Sequence, residues 1–140
     1  MKIKRIQRVV IVVRNLEEAA KRYADLLGVP FLDLGFQETH GVRAMHSEDW
    51  LVELISPVGP RCVAARYLEK YGEGVMGVAF QVTDIDEARS HVENKGFKIL
   101  NELDCGEDDI WKSFKEIILD PKDTNGAPLM LVEAEPKQST

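Results

Sequence analysis

Gly74-Val75-Met76-Gly77-Val78-Ala79-Phe80-Gln81-Val82-Thr83-Asp84-Ile85-Asp86-Glu87-Ala88 reads as a strand running straight into a capped helix. Val78, Phe80 and Val82 alternate with smaller or more polar neighbours, the period of a strand with two unlike faces. Asp84 can accept hydrogen bonds from the free amides of the first helical turn, and Glu87 stands three residues on. Arg8-Val9-Val10-Ile11-Val12-Val13-Arg14-Asn15-Leu16-Glu17-Glu18-Ala19 follows the same grammar. Arg8 to Gly77 and Asn15 to Asp84 are both separated by 69 residues, so one motif is used twice.

Working outward, each copy predicts strand, helix, then three strands. The first has a strand from about Ile6 to Val13 and a helix from Asn15 with Leu16, Ala20, Tyr23 and Leu27 on one stripe. Gly28 and Pro30 end that helix. Strands follow over 31–36, 42–47 and 50–56, with Glu48-Asp49 as a two-residue turn between the last two. Residues 61–71 predict a linking helix with Val63, Tyr67 and Tyr71 on one stripe. The second copy places strands at 75–82, 97–103, 114–119 and 129–133, and a helix at 85–95. A polar loop spans 104–113, and residues after Ala134 read as a disordered tail.

The expected fold is α+β: two βαβββ modules, about 5–57 and 75–134, joined by the linking helix in a single domain. Together they form a curved mixed sheet around a cleft.

Composition narrows the partners. The 140 residues, 44% hydrophobic, suffice for one buried core. A net charge of -6 argues against nucleic acid or an anionic membrane surface. Cys62 and Cys105 have no paired spacing, and no apolar run approaches the roughly 20 residues of a membrane span. These features predict a soluble, cytoplasmic protein with no leader.

On Ile11-Val12-Val13-Arg14-Asn15-Leu16-Glu17-Glu18-Ala19, Val52-Glu53-Leu54-Ile55-Ser56-Pro57, Gly72-Glu73-Gly74-Val75-Met76-Gly77-Val78-Ala79-Phe80 and Asp120-Pro121…Asn125-Gly126…Leu129-Met130-Leu131-Val132-Glu133, the chain resembles the vicinal-oxygen-chelate superfamily. Its members include glyoxalase I, methylmalonyl-CoA epimerase, extradiol dioxygenases and bleomycin-resistance proteins. The similarity spans nearly the whole chain and is nearest the epimerase and glyoxalase branch. It implies a glyoxalase-like fold and, by default, a homodimer. Metal-using members draw two His, a Glu or Gln, and a further Glu from four strands. Carried over, these fall on Arg8, Gly77, Glu53 and Met130, so one of four is kept. Glu133, three residues past Met130, points to the other face. The resemblance thus implies a site with no metal and no cofactor.

Pleat parity supplies the expected lining. With Arg8 and Gly77 facing inward, so do Val10, Val12, Ala79 and Gln81; with Glu53, so do Leu51 and Ile55. The assumed turn pairs Ser47 with Trp50, and so places His46 on the same face as Glu53. Candidate catalytic residues are Glu53 and His46, the latter a group that titrates near neutral pH. Candidate ligand contacts are Arg8, Gln81, Leu51, Trp111 and Met130. Arg8 can replace the lost metal's charge, pair structurally with Glu53, or reach solvent at the cleft mouth. Trp111 either stacks on a ligand or plugs the core; Phe36 and Trp50 read as core, His40 as a loop residue, and the acidic run 104–109 as solvated. Gly74 and Gly77 lack the spacing and the basic partner of a phosphate loop.

Two functions stay open. One is a metal-independent isomerase or lyase acting on a small oxo, acyl or acyl-CoA-like compound. The other is a protein of the bleomycin-resistance type that sequesters a small ligand without chemistry. A metal-dependent methylmalonyl-CoA epimerase or lactoylglutathione lyase ranks behind both.

Overall fold

A computed structural model describes residues 1–137. Its contacts divide the chain into two compact units, Arg8–Met76 and Met1–Gln7 with the chain from Gly77 on. The expected first module began near residue 5, whereas Met1–Gln7 group with the later half. Thr83 N donates to Lys2 O and the N-terminal ammonium pairs with Glu87, which ties that segment down.

In the Arg8–Met76 unit, the elements are the end of β1 (Ile3–Val12), α1 (Leu16–Leu27), β2 (Phe31–Gln37), β3 (Val42–Ser47), β4 (Val52–Pro57) and α2 (Val63–Tyr71). The strands lie in the order β2-β3-β4-β1, with β1 parallel to β4 and the other pairs antiparallel. Asn15 caps α1 by accepting from Glu18 N at 3.1 Å, a contact worth about 1 kcal/mol. Gly28, at φ 68°, supplies the left-handed turn that ends it. Leu16 and Ala20 bury against Val13 and Leu54, with Tyr23, Met45 and Val52 around them. This helix therefore covers one sheet face, and the residues alternating with Val9, Ile11 and Leu54 occupy the other.

The other unit repeats that connectivity. β5 (Gly74–Val82), whose first residues belong to the Arg8–Met76 unit, leads into α3 (Ile85–Asn94), β6 (Ile99–Asp104), β7 (Trp111–Leu119), a 3₁₀ turn (Pro121–Thr124) and β8 (Leu129–Pro136). The order is β5-β8-β7-β6, with β5 parallel to β8. Asp84 caps α3 by accepting from Asp86 N and Glu87 N, at 2.9 and 3.1 Å. Ile85, Ala88 and Val92 bury against Val82, Ile117, Leu119 and Leu131. Fully burying one such side chain contributes about 1.5–3 kcal/mol.

Several expectations are corrected. The β3–β4 turn is not two residues long: the register pairs His46 with Glu53 and Ala44 with Ile55, leaving 48–51 as a four-residue loop. Trp111 starts β7 rather than lying in the loop, because Asp108 Oδ1 accepts from Ile110 N and Trp111 N and closes the turn early. In α2 the buried residues are Ala64 and Leu68, while Val63 and Tyr71 are exposed. Phe36 is exposed, as is Leu27 at the end of the α1 stripe. Residues 135 and 136, expected in the tail, belong to β8; residues 138–140, also expected there, lie outside the described residues.

Candidate functional site

Arg8, Glu53 and His46 come together on the sheet face opposite α1. Arg8 on β1 is two residues before Val10, whose register partner on β4 is Glu53. His46 on β3 faces Glu53 from the other side. The Arg8 guanidinium donates from Nε to Glu53 Oε1 at 3.0 Å, with the arginine side chain 8% exposed and the carboxylate 16%. Arg8 therefore points inward rather than into bulk water.

Electrostatics follow from that arrangement. Burial pushes the Glu53 carboxyl upward, but the charge of Arg8, then that of His46, and the Arg8 hydrogen bond outweigh it. The carboxyl is held below its ordinary range. Burial pushes His46 down to about 4, against the pull of Glu53 and with the help of Arg8. Near neutral pH the site thus holds a cation, an anion and a neutral imidazole. His46 Nδ1 is buried and has no hydrogen-bond partner among the described residues.

The loop that follows β3 completes the cluster. Ser47 Oγ and Asp49 Oδ1 are 2.6 Å apart; Ser47 Oγ accepts from Val52 N and Asp49 Oδ1 from Leu51 N. Trp50 N donates to Ser47 O. Held in this way, Trp50 takes a left-handed backbone at φ 63°, rare for a bulky residue. Its ring meets His46 with centroids 4.9 Å apart and planes tilted by 57°. Sequence reasoning assigned Trp50 to the core and missed this contact. Leu51 lies in the loop before β4, exposed, and its carbonyl accepts from Val9 N. His40 is exposed.

The remaining candidates belong to the other unit. Gln81 is buried, and its amide lies 3.4 Å from the carbonyls of Val82 and Ala134. Trp111 packs on Phe114 at 5.2 Å between centroids. Met130 is the register partner of Ala79, two residues after Gly77. A Cβ added at Gly77 would lie 3.0 Å from Met130 Cε and 3.4 Å from Pro128 O. Gly77 and Met130 thus occupy, in their unit, the register places that Arg8 and Glu53 occupy in the first. Glu133 faces α3 and accepts from Ile85 N at 2.9 Å. Among the described residues, no three His, Cys, Asp or Glu side chains are grouped so as to hold a metal ion.

This connectivity belongs to a known class: the chain is a member of the Glyoxalase/Bleomycin resistance protein/Dioxygenase superfamily, whose profile matches residues 7–111. Within that class its relatives include an ethylmalonyl-CoA/methylmalonyl-CoA epimerase of Cereibacter sphaeroides, 33% identical over 95% of this chain and 98% of the relative. The fold is that of solved epimerases. The methylmalonyl-CoA epimerase of Mycobacterium tuberculosis superposes with a TM-score of 0.84 at 24% identity, covering 96% of this chain and 91% of that one. A variant of the Streptomyces coelicolor enzyme in complex with 2-nitronate-propionyl-CoA gives 0.81 at 24% identity, over 94% and 98%. Among the described residues no helix is long and apolar enough to cross a membrane.

Proposed function

We propose that the protein is an isomerase that inverts the acidic α-carbon of a small acyl-CoA-type thioester, and that it works without a divalent metal. The observation that carries this reading is the inward-facing Arg8–Glu53 pair, flanked by His46. Similarity to the C. sphaeroides epimerase supports the substrate class. The donor set does not fit a divalent ion. A guanidinium repels a cation, glycine offers no donor, and the Met130 thioether is a poor ligand for a hard ion.

Loss of the α-proton sends an electron pair into the thioester carbonyl, and the oxygen becomes an enolate. Arg8 is the fixed positive charge on this face and would stabilise that oxygen, the electrostatic task a metal performs elsewhere. His46 or Glu53 would take the proton and release it to water, and a proton delivered from water to the opposite face of the planar carbon completes inversion. The reading includes a homodimer, which light scattering on the purified protein checks.

The test is methylmalonyl-CoA epimerisation before and after chelation, with elemental analysis of the same sample. Turnover unchanged by chelation supports the reading. A stoichiometric divalent metal, with turnover lost on its removal and restored by its return, overturns the metal-free part.

One observation favours a second reading, ligand sequestration without chemistry: Glu53 is already engaged by Arg8, which weakens it as a base. Large thermal stabilisation by a ligand whose α-proton never exchanges would select that reading.

A further inference from the structure

We infer that Met130, with Gly77 beneath its tip, sets the length of the α-alkyl substituent that the protein accepts. The inference rests on the isomerase reading above and names the part of the substrate that these side chains take.

The two repeats fill one register row in opposite ways. The first sets Val10, Glu53 and His46 side by side across β1, β4 and β3. The second sets Ala79, Met130 and Ile118 side by side across β5, β8 and β7. Their neighbours along the strands, Phe80, Leu131 and Ile117, pack with α3, so this row lies on the opposite face of the sheet. None of its three side chains carries a charge or a hydrogen-bond donor. Leu131 and Ile117 are closed off at 4% and 0% exposure, whereas Met130 and Ile118 stay half-buried. An apolar row left partly open suits an alkyl group and none of the polar groups of an acyl-CoA.

Gly77, two residues before Ala79, governs where the methionine lies. Its φ is outside the left-handed region, so the backbone there does not call for glycine. A glycine inside a strand forfeits packing, and often marks a place where another group comes close to the backbone. Here that group is the end of Met130: a Cβ at Gly77 would lie 3.0 Å from Met130 Cε and 3.4 Å from Pro128 O. Methionine, unbranched and flexible, lays its tip in this recess and leaves the row open beside Ala79 and Ile118. With the recess filled, the tip must turn back over the row and shorten the space for a substituent. One methylene in an apolar pocket is worth about 10–200-fold in kcat/KM, enough to separate a methyl from an ethyl substituent.

The full-length protein with methylmalonyl-CoA and ethylmalonyl-CoA in D2O tests this, with α-proton exchange followed by mass spectrometry. The readout is the ratio of kcat/KM for the ethyl over the methyl substrate, which does not depend on how much of a variant is folded. Met130→Ala should raise that ratio by about 10-fold or more, and Gly77→Ala should lower it by about 3-fold or more. In the Met130→Ala background, Gly77→Ala should leave the ratio within about 2-fold, because no thioether tip remains to displace. Met130→Val, a smaller loss of volume, should move the ratio in the same direction if Met130→Ala fails to fold. A wild type that exchanges the methyl substrate alone also decides, since Met130→Ala should then gain the ethyl one. If the protein exchanges either thioester and no Met130 variant changes the ratio, the inference is wrong and the isomerase reading stands. A Gly77→Ala effect of equal size in both backgrounds likewise overturns it, because glycine then acts without the methionine. A wild type that exchanges neither thioester overturns the isomerase reading and this inference with it.

Discussion

Met130 fills the space in which a side chain at Gly77 would begin: a Cβ there would lie 3.0 Å from Met130 Cε. The equivalent pair in the first repeat, Glu53 and Arg8, is joined by an ion pair. One repeat has therefore resolved these two positions by packing and the other by charge. Gly77→Ala should cost under about 1 kcal/mol, since the neighbour is the mobile end of a methionine. Gly77→His should cost about 1–3 kcal/mol by overpacking. Met130→Ala in the same chain should recover at least half of that loss, a coupling that urea unfolding of the double-mutant cycle measures. Strict additivity would show that the two side-chain positions do not compete for space.

Removing one partner of the Arg8–Glu53 pair exposes what the other costs. Arg8→Met should destabilise the protein by about 3–5 kcal/mol at neutral pH, because Glu53 is left charged and buried. Burial is the largest influence on Glu53 and it acts upward, so without Arg8 the folded carboxyl would titrate above its unfolded value. Stability contributed by the protonated form is present at low pH and lost as pH rises through that folded value. The Arg8→Met penalty should accordingly be smaller at pH 5 than at pH 8 in parallel urea melts. Adding Glu53→Gln should remove most of the difference between the two pH values.

How much of this could be read from the chain depends on how local the cause is. The caps at Asn15 and Asp84 act within three residues, and the apolar alternation of β1 and β5 is written along each strand, so both were legible. The shared face of His46 and Glu53 was legible for a subtler reason. The β3–β4 register differs from the expected one by two residues, and an even slip preserves the face, whereas a slip of one would have reversed it. The loop itself was not legible, because Glu48-Asp49 carries no strong turn preference and the closing contacts come from Ser47 and Asp49 side chains. Trp50 against His46 was hidden altogether: it needs a positive φ at a tryptophan, which no residue preference suggests.

The buried imidazole should appear as a pH dependence of folding. His46 titrates near 6.5 when unfolded and about 4 when folded, so between these values the unfolded chain binds more protons. Stability is full above the unfolded value and falls as pH drops through this window, by about 3 kcal/mol in all. The depressed Glu53 carboxyl also weakens the fold in acid, but its window opens only below 4.5. His46→Phe should flatten the curve between pH 6.5 and 4.5 and leave the steeper fall below it. A slope unchanged by that substitution would assign the acid sensitivity to other groups.

Trp50 offers a comparison in which backbone and side chain can be separated. At φ 63° alanine pays the left-handed penalty that glycine avoids, so Trp50→Gly should be more stable than Trp50→Ala by about 1 kcal/mol. Both remove the indole from His46 and admit water to the ring. Because burial is the main cause of the low His46 value, both should raise it toward 6.5, by similar amounts, in an NMR titration. Trp50→Phe, which keeps an aromatic face, should leave it nearly where it is. If glycine and alanine differ in stability but neither moves the titration, the strain at Trp50 serves the loop alone and the indole does not govern the imidazole.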